Sequence, residues 1–121
     1  MFTQKTSLII PTRNRPLFLL KLFKNLKNFK IKFKKILVID SSNKEIKIEI
    51  NNIVKSFNCK LYHSKPSTSL QRNIGLKNKD KKSKYVMFLD DDIIFKKNSF
   101  LSLNNRIIFH EKNKSKILGY G

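Results

Sequence analysis

The chain alternates short apolar runs with longer amphipathic stretches, and the boundaries fall at turn residues. Ser7-Leu8-Ile9-Ile10 is an apolar run closed by Pro11, the pattern of a buried strand. A polar loop, Thr12-Arg13-Asn14-Arg15, follows, with Asn14 available as a helix cap and Pro16 suited to a first helical turn. Leu19, Leu22, Phe23 and Leu26 then recur at i, i+3, i+4 and i+7, which predicts an amphipathic helix with Lys21, Lys24 and Lys27 facing water. Ile36 to Asp40 reads as a second strand and Ser41-Ser42-Asn43 as a turn and capping cluster.

The stretch from Lys44 to Phe57 carries two patterns. Glu45 to Ile50 alternates strictly, as a strand would, whereas Ile46, Ile50, Ile53, Val54 and Phe57 fit one face of a helix. A strand needs a crossover before its parallel neighbour, so the context predicts a helix. Lys60 to His63 is a weaker third strand, and Thr68 to Leu76 a helix entered through Pro66-Ser67. Lys77 to Lys82 is a charged connector. Tyr85 to Asp90 is a fourth strand, its apolar run suggesting full burial. Ser99 to Phe109 is a last helix with Phe100, Leu103, Ile107 and Ile108 inward, and Ile117 to Gly121 resembles the start of another strand. The order βαβαβαβα predicts one α/β domain over residues 1–121, a parallel Rossmann-like sheet with helices on both faces. It ends as a new element begins, so half of a larger fold is expected. No internal repeat is visible.

The 121 residues suffice for one domain with a core. The net charge of +19 would ordinarily direct attention to nucleic acid. However, Lys, Asn, Ile and Phe make up 61 residues and Ala is absent, a bias that A/T-rich coding explains. Of the 27 basic residues only 4 are Arg, the type favoured for specific base and phosphate recognition. Nucleic acid is therefore not expected as a specific partner, although the charge attracts anions, nucleotides and anionic lipid surfaces included. A lone cysteine, Cys59, excludes an intramolecular disulfide and reads as a small core residue. No apolar run approaches the ~20 residues of a membrane span, and Met1 to Lys5 lack a signal-peptide pattern. A cytoplasmic location is expected, with peripheral membrane contact compatible.

The candidate chemistry lies where strands end. Asp40 closes the second strand, and Asp90-Asp91-Asp92 follow the fourth; in a parallel sheet both would reach one crevice. Three adjacent carboxylates call for a positive partner, and a hard divalent cation carrying phosphates suits them. Extended-chain alternation puts Asp90 and Asp92 on one side and Asp91 on the other, so one metal could be touched by two of the three. Arg13, Arg15 and Arg72 fall near the same crevice, and their planar forks suit a diphosphate or a carboxylate. No G-x-G-x-x-G or G-x-x-x-x-G-K-[ST] run is present, which removes the main support for dinucleotide and P-loop readings. Ser/His/Asp catalysis lacks a nucleophile elbow. His63 and His110 have no evident partner at ligand spacing and read as structural or surface residues.

Four segments, Ser7 to Arg15, Val38 to Ser42, Gln71 to Gly75 and Phe88 to Asp92, resemble in order and spacing the donor-binding half of family 2 glycosyltransferases. The resemblance covers essentially the whole chain and implies a GT-A nucleotide-diphospho-sugar domain without the C-terminal acceptor-binding half. It implies that Pro11, Thr12 and Arg15 line the base and ribose pocket. Asp40 would accept a hydrogen bond from the base, commonly uracil, and Arg72 and Asn73 would face the nucleotide and diphosphate. Asp90 to Asp92 would be the D-x-D motif, with Asp92 on Mn²⁺ or Mg²⁺ and Asp90 or Asp91 near the ribose or sugar. It further implies a UDP-sugar donor, a glycan or lipid-linked acceptor, and a role in polysaccharide biosynthesis. The family's general base lies downstream. Glu111 is the only acid after Asp92 and reads as a surface residue, so no catalytic base is evident and the chain alone is expected to bind donor weakly or transfer nothing. The rival readings are a two-metal nuclease or phosphotransferase using Asp40 with the acidic run, and a non-catalytic basic binding module.

Overall fold

Two central strands set the architecture. The computed structural model describes residues 1–93 and 96–112, and of residues 97, 100 and 107–112 the backbone alone. Strand β1 (Thr6–Thr12) pairs in parallel with β2 (Lys35–Asp40) on one side and with β4 (Tyr85–Phe88) on the other, and β3 (Lys60–His63) pairs with β2. The order is β3-β2-β1-β4. Four helices, α1 (Pro16–Asn28), α2 (Lys44–Ser56), α3 (Thr68–Asn78) and α4 (Lys97–Lys112), follow the strands in turn. This is the expected α/β parallel sheet of Rossmann-like type.

Alternation along β1 and β2 divides the core into two layers. Leu8, Ile10 and Val38 point to one face, where Leu19, Leu22, Phe23 and Leu26 of α1 and Ile50 and Val54 of α2 cover them. Phe23 stacks on Phe57 with ring centroids 5.1 Å apart. Ile9, Leu37 and Ile39 point to the other face, against Ile74 of α3 and Phe88 of β4. The Lys44–Ser56 helix settles the two-pattern segment: it buries Ile50 and Val54 and leaves Ile48 exposed, the 3.6-residue pattern rather than the 2-residue one.

Helix α3 lies unusually close to β1. A Cβ on the buried Gly75 would collide with Ile9 Cγ2 and sit 2.9 Å from its Cδ1. Glycine is what permits that approach.

Several expectations are corrected. The β4 run is half-buried, not fully buried, because among the described residues β4 pairs only with β1 and is an edge strand. It also ends at Phe88, short of Asp90. Strand β1 continues through Pro11 to Thr12. It can do so because Ile9 O faces β4, where it accepts from Leu89 N. Pro11, two residues on, turns its missing N–H to the same side, beyond the last β1–β4 pair at Ile9–Phe88. Asn14 is not the cap of α1. Arg15 occupies that position, and Asn14 adopts a left-handed φ of 54°. In α4, Leu103 packs on the core; Phe100, Ile107, Ile108, His110, Glu111 and the strand expected at Ile117–Gly121 lie outside the described side chains.

Cys59 packs against the first layer, and burial pushes its thiol up to about 12. The thiolate is the reactive form. Iodoacetamide at pH 8 is therefore expected to leave the folded chain unmodified and to alkylate it in denaturant. Rapid alkylation under native conditions, followed by mass spectrometry, would contradict the packing of Cys59.

Candidate functional site

The sheet order reverses at β1: the chain runs β1 to β2 to β3 in one direction and returns to place β4 on the opposite side. In open parallel sheets the loops leave such a point in opposite directions and a crevice opens at the C-terminal ends of the strands. The loops after β1 and β4 meet here.

Asp91 joins them. Its carboxylate is 7% exposed, accepts 2.7 Å from Thr12 Oγ1 at the end of β1 and lies 3.3 Å from Arg15 Nη1. Burial raises the Asp91 carboxyl above its ordinary range, the Thr12 bond and Arg15 draw it back, and the neighbouring Asp92 charge adds to the rise. With Asp91 turned inward, Asp90 and Asp92 both face solvent. Asp92 lies 3.6 Å from Arg15 Nη1 with its side chain 52% exposed. The alternation expected for the three acids is therefore present, although Asp91 and Asp92 belong to a turn and not to the strand.

A second set of contacts ties the β2 loop to the first. Asp40, opposite Thr12 in the register, is fully buried, and its Oδ1 accepts from Ser42 N at 3.1 Å and from Ser42 Oγ. Ser42 Oγ in turn accepts from Asn14 N at 2.8 Å, and Asn14 Oδ1 accepts from Asn43 N at 2.8 Å. Asn14 thus bridges the β1 and β2 loops, which explains its left-handed backbone: Asn tolerates that conformation and its short amide bonds locally. Gln71, buried on α3, donates through Nε2 to Thr12 O at 3.2 Å and Ile39 O at 2.8 Å. It clamps the ends of β1 and β2 from the face opposite α1.

The remaining residues anticipated from sequence divide by position. Pro11 is partly buried beside Thr12. Arg15 stands on the α1 side of the crevice and Arg72 on the α3 side, its guanidinium 5.4 Å from the Phe88 ring centroid. Arg13 and Asn73 are exposed. Sequence reasoning treated Gln71 only as part of a motif, Ser42 as part of a motif and a capping cluster, and His63 as a structural or surface residue. Gln71 had a signal, since it shares a helix face with Ile74 and Gly75. His63 had none: its Nδ1 lies 3.6 Å from Asp40 Oδ2 only because β3 registers His63 opposite Asp40.

The exposed pair Asp90 and Asp92 fits a hard divalent cation. Both offer oxygen, and an ion of the Mg²⁺ type takes one or two carboxylates and completes its shell with water and phosphate oxygens. Among the described residues no group of three or more His, Cys, Asp or Glu could hold a metal ion. A two-metal nuclease centre fits poorly: its ions lie ~4 Å apart, whereas Asp40 is buried and two strands, about 10 Å, from the end of β4.

Comparison with known proteins places this arrangement. S. aureus TarS has a similar fold, with 20% identity and a TM-score of 0.67 over 88% of this chain and 20% of that one. The TarS 1-349 form gives 20% identity and a TM-score of 0.68 over 88% and 33%. The 4-diphosphocytidyl-2C-methyl-D-erythritol synthase of Anaerococcus prevotii DSM 20548 gives 18% identity and 0.60 over 88% and 52%. At such identities the likeness is one of fold, and the chain spans a fifth to about half of those structures' lengths. No curated protein matches significantly. The family model described as glycosyl transferase family 2 matches residues 7–116. The chain belongs to glycosyl transferase family 2.

Proposed function

We propose that this chain forms the donor site of an inverting glycosyltransferase that takes a sugar from a nucleotide diphosphate, a UDP-sugar, to a glycan or lipid-linked acceptor. The observation that carries the reading is the inward anchoring of Asp91 by Thr12 and Arg15, which leaves Asp90 and Asp92 exposed on either side of it. In this reading Asp92, with Asp90, holds Mn²⁺ or Mg²⁺, and the ion supplies charge stabilisation to the leaving diphosphate. Arg15 and Arg72 flank the phosphates from the two faces of the sheet. Pro11, Thr12 and Arg13 border the nucleoside, and Asn73 faces it from α3.

Inversion requires a base within reach of the acceptor hydroxyl. None of the residues assigned here does that work, so donor binding without transfer is the activity proposed for these 121 residues. Among the described residues no helix is long and apolar enough to cross a membrane. The cationic surface is compatible with a lipid-linked acceptor held at an anionic bilayer.

Calorimetric titration of UDP-sugars with Mn²⁺, and again with EDTA, tests the reading. Saturable binding that disappears with EDTA is expected. A folded chain that binds no nucleotide under either condition would refute it.

A further inference from the structure

The end of β2 holds an unsatisfied charge. Asp40 is fully buried; its Oδ1 is occupied by Ser42, but its Oδ2 has no hydrogen-bond partner. A buried carboxylate oxygen without a donor is costly, and a native fold retains one where a neighbouring group answers it. The group that faces it is the His63 imidazole, with Nδ1 3.6 Å from Asp40 Oδ2. The His63 side chain is 42% exposed and that of Asp40 is 0% exposed. At this edge a ligand therefore meets imidazole, not carboxylate.

We propose that His63 contacts the nucleobase of the donor, and that Asp40 is the positioning residue behind it. The inference rests on the donor-site reading given above. A carboxylate facing Nδ1 favours the tautomer with the proton there, which leaves Nε2 as an acceptor pointing away from Asp40. That lone pair suits the N3–H of uracil. Cytosine presents an unprotonated N3 and would be disfavoured, since two acceptors would face each other. The span also fits. From the acidic turn after β4 to the ends of β2 and β3 is two to three strand spacings, about 10–15 Å. A nucleoside diphosphate lying along the edge, its phosphates at Asp92, would bring its base to His63.

The test is calorimetric titration of UDP and CDP with Mn²⁺ into the wild-type chain and three variants. Wild type is expected to prefer UDP. His63→Ala, checked to be folded by its circular-dichroism spectrum and thermal melt, is expected to weaken UDP roughly tenfold and leave CDP within about twofold, the scale of one hydrogen bond. His63→Gln, whose amide can donate to Asp40 and accept from N3–H, should recover part of the loss. Asp40→Asn should turn an amide donor to Nδ1, move the imidazole proton to Nε2 and shift preference toward CDP; ¹⁵N spectra of the ring report that tautomer directly. Unchanged UDP affinity in His63→Ala, or a wild-type preference for CDP, overturns the role of His63 and leaves the donor site standing. Absence of binding by the folded wild type for either nucleotide overturns both.

Discussion

Asp92→Asn is expected to weaken Mn²⁺-dependent UDP binding by about a hundredfold while moving the melting temperature by no more than about 4 °C. The two halves of that expectation have separate causes. Interactions of charged groups contribute about 1.5–3 kcal/mol each, and 1.4 kcal/mol corresponds to tenfold in affinity. Removing the charge that would hold the cation thus costs near the top of that range. Stability, in contrast, owes little to this side chain. It is half-exposed, and its 3.6 Å approach to Arg15 is the kind of surface ion pair that contributes about 0–1 kcal/mol. Titration of the variant beside a thermal melt separates the two effects. Wild-type affinity in Asp92→Asn would remove Asp92 from the metal site.

The second large effect concerns the fold. Gly75→Val is expected to destabilise the chain by about 3 kcal/mol, and Gly75→Ala by about 1–2 kcal/mol, the upper half of the core-overpacking range (about 2–3 kcal/mol) less the ~1 kcal/mol that Ala gains over Gly in a helix. The reason is the absence of room. The first added carbon overlaps Ile9 Cγ2, and Ile9 is fully buried between sheet and helix, so it cannot swing into solvent. Relief would require α3 to lift from β1, which would also draw Gln71 from the carbonyls of Thr12 and Ile39. Melting curves of both variants against Lys77→Ala, an exposed site on the same helix, measure the effect. A Gly75→Ala chain as stable as wild type would show that the two elements do not pack so closely.

The extent to which the sequence was legible follows from the range of the interactions involved. Helix α1 and strands β1 and β2 were readable because their signal is periodic and local: Leu19, Leu22, Phe23 and Leu26 are spaced for one face whatever surrounds them. The Glu45–Ile50 alternation misled locally and was overruled by connectivity, since parallel strands need a crossover. Burial of β4 was overestimated because an apolar run does not tell a central strand from an edge one; the strand order decides, and among the described residues it puts β4 at the edge. Within the site, the acidic run and the arginines were visible as residue types. Which acid turns inward was not, because it depends on Thr12 and Arg15, 79 and 76 residues away. The pairing of His63 with Asp40 was hidden for the same reason, being set by the β2–β3 register alone.

Pro11 carries a consequence beyond its place in β1. Two parallel strands that part at a crevice have an incentive to keep zipping, since each further rung satisfies a donor and an acceptor. At position 11 the donor facing β4 is missing, so the rung after Leu89 N to Ile9 O lacks half of its bonding. The proline acts as a zip stop. It frees the segment after Phe88 from the ladder, and the chain turns at Asp91 and Asp92.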